Sequence, residues 1–144
     1  MFDLDIFKTI FGKEHMKVKF SFLWIFVMLN YIYADIVTLM DSSVLNELIK
    51  GFAGEIQITQ GFLLGASILM EIPIAMVLLS LILKYKWNRW ANIVAGFIKT
   101  LAVGSSMFVG TPAPYYLFFG IIEMATTLLI INLAWKWRSP NISN

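Results

Sequence analysis

Apolar residues run through this chain in four long blocks, parted by short stretches rich in charge, glycine or proline. The blocks are Phe20–Met40, Ile58–Leu83, Ala91–Gly110 and Ala113–Trp135. Each comes close to or exceeds the ~20 residues that a helix needs to cross a hydrocarbon layer. The second, at about 26 residues, is long enough to tilt, kink or protrude. The links after the second and third blocks are short, so neighbouring helices must pack antiparallel. The pattern predicts an all-α, polytopic membrane protein. Its core is a four-transmembrane-helix, up-down-up-down bundle forming a single membrane domain over 1–144, with an arm at 1–19 and a tail at 136–144.

Two smaller elements follow from the same patterning. Phe2, Ile6, Phe7, Ile10 and Phe11 recur at near-helical spacing before Gly12, which predicts a short N-terminal cytoplasmic surface helix. Asp41, Ser42 and Ser43 can cap a second short helix, with Val44, Leu45, Leu48, Ile49 and Phe52 as its apolar face and Gly51 as its stop. This outer amphipathic helix would lie across the mouth of the bundle, as a connector or as a lid.

Polar positions inside the blocks are not scattered. Gln57, Gln60, Leu64, Ser67 and Glu71 step by three and four residues and share one helix face. Tyr116, Gly120, Glu123 and Thr127 form a seam in the fourth block. Trp24, Met28, Tyr31, Asp35 and Thr38 do so in the first, and Asn92, Lys99, Val103 and Ser106 in the third. Each seam holds one ionisable residue: Asp35, Glu71, Lys99 or Glu123. A charge in hydrocarbon costs roughly 2.5–3.5 kcal/mol on insertion scales, and such residues usually face a protein interior. The four seams are therefore expected to converge on one acidic interior, with Lys99 paired to a carboxylate and with Gln57, Gln60 and Ser67 as an approach from outside. Pro73, two residues after Glu71, removes a backbone donor and frees the carbonyl of Leu69. The competing expectation is a buried ion-pair network that only fixes helix register.

Charge distribution gives the orientation. Of the eleven Lys and Arg residues, nine fall in the arm, the middle link and the tail, whereas the other side holds only Lys50. Both termini are thus expected to be cytoplasmic. Trp87, Trp90, Trp135, Trp137 and Tyr85 accompany that basic side as interfacial aromatics. The first block is too long, and begins too far from the start, to read as a cleavable signal. Charged residues make up only 14% of the chain and apolar ones 59%, against about 25% charged in soluble domains. The net charge of +2 gives no nucleic-acid footprint. The absence of cysteine excludes disulfides, thiol chemistry and thiolate metal sites. No metal-ligand spacing, phosphate loop or cofactor motif occurs, and the one histidine, His15, lies in the arm. Gly96, Thr100 and Gly104, four apart, form a small-residue face for a helix within the bundle or in a second protomer.

The stretches "YADI" around Asp35, "EIQITQ" at Glu55–Gln60, "MEIPIAM" around Glu71, "NRWANI" at Asn88–Ile93 and "IIEM" around Glu123 carry a resemblance. Across Leu23–Trp137 the chain resembles a family of small bacterial four-helix membrane proteins classed as a domain of unknown function. The resemblance implies a bacterial inner (cytoplasmic) membrane and a four-helix architecture, but no activity. In plan alone the chain is also similar to sterol-isomerase and sigma-2-like four-helix proteins, which hold amphiphilic amines or sterols beside intramembrane acids.

Three functions compete. The first is binding or acid–base conversion of a small lipophilic or amphiphilic molecule. Glu71 and Glu123 would be acid and base, Lys99 would tune them, and Asp35, Tyr31, Gln57, Gln60, Ser67, Tyr116 and Thr127 would line the approach and pocket. The second is a proton- or cation-coupled transporter, best served by a homodimer. The third is a structural subunit of a membrane complex. Membrane lipid is the expected surrounding in all three.

Overall fold

The computed structural model describes residues 15–107 and 112–138, so the expected helix over residues 2–11 lies outside the described residues. Apart from one tiny hairpin, the described chain is helical. Four long helices, α1 (Met16–Met40), α3 (Gln60–Ile82), α4 (Tyr85–Met107) and α5 (Pro114–Lys136), account for most of it. A short helix, α2 (Ser42–Ile49), follows α1, and strands β1 (Phe52–Ala53) and β2 (Ile56–Gln57) pair antiparallel before α3. Helices α1, α3 and α5 are long and apolar enough to cross a membrane. Helix α4 is as long, but it carries Lys86, Arg89 and Lys99 and does not qualify on composition.

The boundaries have local causes. Asp41 ends α1, its N–H reaching Thr38 O at 3.2 Å, and starts α2, its carboxylate accepting from Ser43 N at 3.0 Å. The same oxygen accepts from Ser43 Oγ at 2.6 Å, and these bonds hold the Asp41 carboxyl below the usual carboxylate range. Gly51, at φ +84°, turns the chain out of α2, and Gly54, at φ +61°, turns the hairpin. Both conformations suit glycine because no Cβ is present to clash. Thr59 Oγ1 caps α3 by accepting from Phe62 N. Pro114 opens α5 in the first turn, where a missing N–H costs nothing. The first turn of α4 reaches back to Tyr85, six residues earlier than its apolar run suggests, because its polar residues Asn88 and Asn92 point inward.

The long helices alternate in direction. Lys17, Leu81, Tyr85, Arg89 and Trp137 meet at one end, and Asp41, Ser106, Tyr115 and Tyr116 lie at the other. In order around the assembly, α1 packs on α3 and α5, and α4 lies closely along α5 and less extensively against α3. Phe20, Trp24 and Val27 of α1, Met76 of α3, Ala95 of α4, and Ile130 and Ala134 of α5 form the core, all in the half nearer the basic end. At that end Lys17 Nζ donates to Leu81 O and Arg89 Nη2 to Trp135 O, satisfying carbonyls that the C-termini of α3 and α5 leave open.

Helix α2 buries no residue and packs only against α1 and the hairpin among the described contacts, which fits a connector rather than a lid. The small-residue face of α4 is used inside the chain. Thr100 Oγ1 and Thr127 Oγ1 share a hydrogen bond of 2.8 Å, and Gly96 lies against Ile131 and the Thr127 carbonyl of α5.

Two predictions follow from this packing. A Cβ at Gly96 would meet Ile131 Cγ1 at 2.8 Å, a methylene next to the branched Cβ rather than the far end of a flexible side chain, whereas one at Gly104 would meet only Met124 Cε at 3.9 Å. Gly96→Ala should therefore destabilise by about 1–3 kcal/mol, and Gly104→Ala should be neutral or slightly stabilising through helix propensity, as read from denaturation in detergent. Asp41→Ala should speed amide exchange at Ser43 and along the first turn of α2. Because its folded-state pKa is depressed, the cap is intact above the ordinary carboxylate range and lost as pH falls through the lowered value. Acid should therefore reproduce the effect of the variant only below that range.

Candidate functional site

Two polar layers cross the interior, and heptad spacing aligns them. Trp24 and Tyr31 are seven residues apart on α1, as are Asn92 and Lys99 on α4. Seven residues is nearly two turns, so each pair shares a face, with its members about 10 Å apart along the axis. Both helices run away from the basic end, so Trp24 meets Asn92 and Tyr31 meets Lys99.

The layer nearer the basic end is a closed hydrogen-bond network. Trp24 Nε1 donates to Asn92 Oδ1 at 2.7 Å, and Asn92 Nδ2 donates to Asn88 Oδ1 at 2.7 Å and to Asn88 O at 2.9 Å. Asn88 Nδ2 donates to Ser80 O at 2.5 Å. All four residues are fully buried. Paired polar groups of this kind rigidify an interior, whereas half-paired ones destabilise it. Together with the apolar core beside it, this layer seals the half of the molecule nearer the basic end.

The second layer is built on Pro73. Proline has no N–H to offer the carbonyl four residues back, so Leu69 O loses its helical donor. Lys99 Nζ, on a side chain fully buried from solvent, reaches across from α4 and donates to that oxygen at 3.4 Å. A neighbouring helix thus re-satisfies the freed carbonyl, the usual remedy for proline within apolar helices. The same ammonium stands 3.6 Å from the centroid of the Tyr31 ring, a cation–π contact strengthened by exclusion of water. Lys99 makes no ion pair with a carboxylate among the described residues. The expected pairing is replaced by the carbonyl and the ring, although Glu123 and Asp35 both lie within electrostatic reach.

Beyond this layer lies a cavity of about 190 Å³, lined from all four long helices. Tyr31 and Asp35 come from α1, Leu69 and Met70 from α3, Ser106 from α4, and Tyr116, Phe119 and Glu123 from α5. Tyr116 Oη donates to Ser106 Oγ at 2.7 Å. Glu123 is only 4% exposed; its Oε1 and Tyr31 Oη make no hydrogen bond of good geometry among the described residues, although the two side chains face each other within interaction range. Asp35 lies at the exposed rim. Thr127, one turn from Glu123, is buried and donates to Glu123 O or shares its hydrogen with Thr100. Two acids and one base make the cluster net −1 when all are ionised. No three His, Asp or Glu side chains gather as a metal site among the described residues.

The seams therefore divide. Tyr31, Asp35, Tyr116 and Glu123 line the cavity; Lys99 does not line it but is held against Tyr31 and Leu69, which do, and Thr127 is bonded to the Glu123 backbone. Gln57, Gln60, Ser67 and Glu71 do not join them: all four are exposed, and Glu71 has no partner among the described residues. Gln60, Ser67 and Glu71 do share one face, but it is the outer face of α3, and Gln57 lies in β2 rather than on the helix. The inner face holds Pro73, Met76 and Ser80, and five residues place Glu71 about 140° around the helix from Met76. The spacing of polar residues defines a face without saying what it faces, and the rest of α3 is too uniformly apolar to orient it. Ser106 and Gly120 lay on the recognised seams without being singled out. Asn88 and Ser80 were not anticipated; the Asn88–Asn92 spacing of four was the available signal.

A family model, DUF6326, matches residues 6–144. The chain belongs to this family of unknown function. No curated protein and no solved structure matches it. For this DUF6326 member the cavity and its floor are therefore the guide to function.

The floor makes a double-mutant prediction. Lys99→Met leaves the Leu69 carbonyl buried without a donor and should cost about 1–3 kcal/mol of stability in detergent. In a Pro73→Ala background the backbone N–H of residue 73 can serve Leu69 O, so the same Lys99→Met change should cost at least about 0.5 kcal/mol less. Additive losses would show that Lys99 does not serve the proline-freed carbonyl.

Proposed function

We propose that the protein is a four-span membrane protein, with α4 as the fourth span and the basic end cytoplasmic. In this reading its outward-opening cavity receives the cationic head of a small amphiphile, an amine whose tail stays in the bilayer. One observation carries the reading: a Glu123 carboxylate oxygen without a well-formed hydrogen bond stands beside Tyr31 in a cavity otherwise closed toward the basic end. A buried acceptor without a donor is costly, and a ligand N–H or water would supply one. The cluster is one negative charge in excess, which a monocation balances. Size narrows the class further. About 190 Å³ holds roughly six waters. That suits an ammonium head with a few methylenes, not a whole sterol. Met70, 42% exposed at the cavity wall, marks a side where a tail can leave toward lipid.

Chemical conversion is a second reading, favoured by Glu123 and the adjacent Tyr31 hydroxyl lining one cavity, where either could serve as proton donor or acceptor. Transport is weaker, because the hydrogen-bonded Trp24–Asn92–Asn88–Ser80 layer and the packed core leave no polar path toward the basic end.

The test is thermal unfolding with a single-chain alkyl amine and with the alcohol of equal chain length. The amine should stabilise wild type, and its binding should weaken about tenfold in Glu123→Gln, equivalent to about 1.4 kcal/mol. An equal response to amine and alcohol, or an unchanged response in both Glu123→Gln and Asp35→Asn, would refute cation binding. Product analysis after prolonged incubation separates conversion from binding.

A further inference from the structure

The basic end of the molecule is more ordered than membrane orientation requires. Orientation asks only for Lys and Arg in the loops of one side, at any position. Here Lys86 and Arg89, near the start of α4, and Lys136 and Arg138, at and just past the end of α5, line a single cleft of about 730 Å³. No carboxylate lines it. The sequence has no Asp or Glu over residues 15–34, none between Glu71 and Glu123, and none after Glu123. Four cations therefore converge without a counter-ion among the described residues.

Bonds between α4 and the end of α5 fix the walls. Arg89 Nη2 donates to Trp135 O at 3.0 Å, and its guanidinium carbon lies 6.0 Å from the centroid of the Trp135 ring. Tyr85 Oη donates to Trp137 O at 2.7 Å, and the two rings meet edge to face at 4.9 Å. Trp137 also packs on Phe20 of α1, with ring centroids 5.5 Å apart. The fold thus holds the segment that carries Lys136 and Arg138 against the helix that carries Lys86 and Arg89. Arg89 commits one guanidinium N–H to Trp135 O and keeps the others of its fork. Lys86, Lys136 and Arg138 make no hydrogen bond or ion pair among the described residues.

We propose that this cleft binds the headgroup of an anionic phospholipid, with the phosphate held by Arg89 and the other three cations and the acyl chains lying against the apolar surface of α4 and α5. The proposal rests on the membrane-spanning reading above but not on the inner cavity or its amine. Charge selects the class of headgroup. A phosphodiester brings the negative charge that the cleft lacks, and a guanidinium fork matches phosphate oxygens. A zwitterionic headgroup would add its own ammonium to four cations, so a headgroup without a cation is preferred. Depth selects a lipid over a soluble anion. Trp135 lines the cleft and is itself exposed, and Trp87 and Trp90, which flank Arg89 along α4, are exposed too. Such rings settle at the headgroup level of a bilayer. Basic pockets between helix ends on the cytoplasmic side recognise acidic headgroups by this combination of charge and depth.

The test is native mass spectrometry in detergent with phosphatidylglycerol or phosphatidylcholine of equal chain length, alongside thermal unfolding. Phosphatidylglycerol should be retained at least about tenfold more tightly. The double variant Lys86→Gln/Lys136→Gln removes two exposed charges that make no bond within the fold. It should unfold at the wild-type temperature in lipid-free detergent and lose the preference. Lys50→Gln/Lys84→Gln, an equal change of charge outside the cleft, should keep it. Equal retention of the two lipids, the same outcome in both double variants, or equal stabilisation by inorganic phosphate at the same concentration would each overturn the proposal. Extraction of the protein from membranes by alkaline carbonate would remove the membrane-spanning reading as well. A firmly retained protein with no lipid preference would refute the headgroup site alone.

Discussion

The second half of the molecule is organised around a missing hydrogen. Pro73 withholds the N–H that would have closed the turn on Leu69, and the orphaned carbonyl draws the Lys99 ammonium into the interior. Once there, the cation needs more than one weak acceptor, and the Tyr31 ring supplies a second. The side chain of Tyr31 thereby forms the floor of the cavity, with Glu123 above it. A lysine that would otherwise neutralise an acid is occupied by a backbone dipole and a ring. The acids are left less than fully compensated, which is the chemical character of the site.

The two layers have opposite characters because their groups are differently matched. In the Trp24–Asn92–Asn88–Ser80 layer, amides and an indole are bonded in sequence, and the surrounding residues are apolar and close-packed. The result is a rigid plug. In the Tyr31–Lys99–Glu123 layer, one phenol and one carboxylate face each other without a well-formed hydrogen bond, and space remains beside them. The first layer fixes the relative height of α1 and α4, and the second uses that height to bring a ring over a cation. The candidate site is a local failure of satisfaction held in place by a satisfied neighbour.

Much of this was legible in the chain. The long helices follow from apolar length, and the convergence of Asp35, Lys99 and Glu123 follows from the seams that contain them. The outward placement of Glu71 was not legible. Its neighbours Ser67 and Gln60 marked a face correctly, but α3 is apolar on every other side, so nothing local told inside from outside. Only the packing of Pro73, Met76 and Ser80 against the other helices decides it. The pairing of Lys99 was misjudged for a related reason. Charge suggests a carboxylate partner, while the geometry of a proline-broken turn offers a carbonyl. The hairpin at Phe52–Gln57 escaped because two-residue strands carry no periodicity, although Gly51 and Gly54 punctuate it.

The polarity of α4 has a consequence for how the chain is assembled. Asn88, Asn92 and Lys99 are all fully buried, and their side-chain bonds reach Ser80 and Leu69 on α3 and Trp24 on α1, apart from the two that Asn92 makes to Asn88. Before those neighbours are in position, this segment would expose two amides and a cation to lipid and would partition poorly by itself. On the four-span reading proposed above, it would therefore enter the bilayer late and in company. Helices α1 and α3 would already be resident, and the apolar α5 would arrive with it as a hairpin. Biogenesis of this protein would then be cooperative at the stage of insertion, with the polar interior acting as a checkpoint that only a complete set of helices can pass.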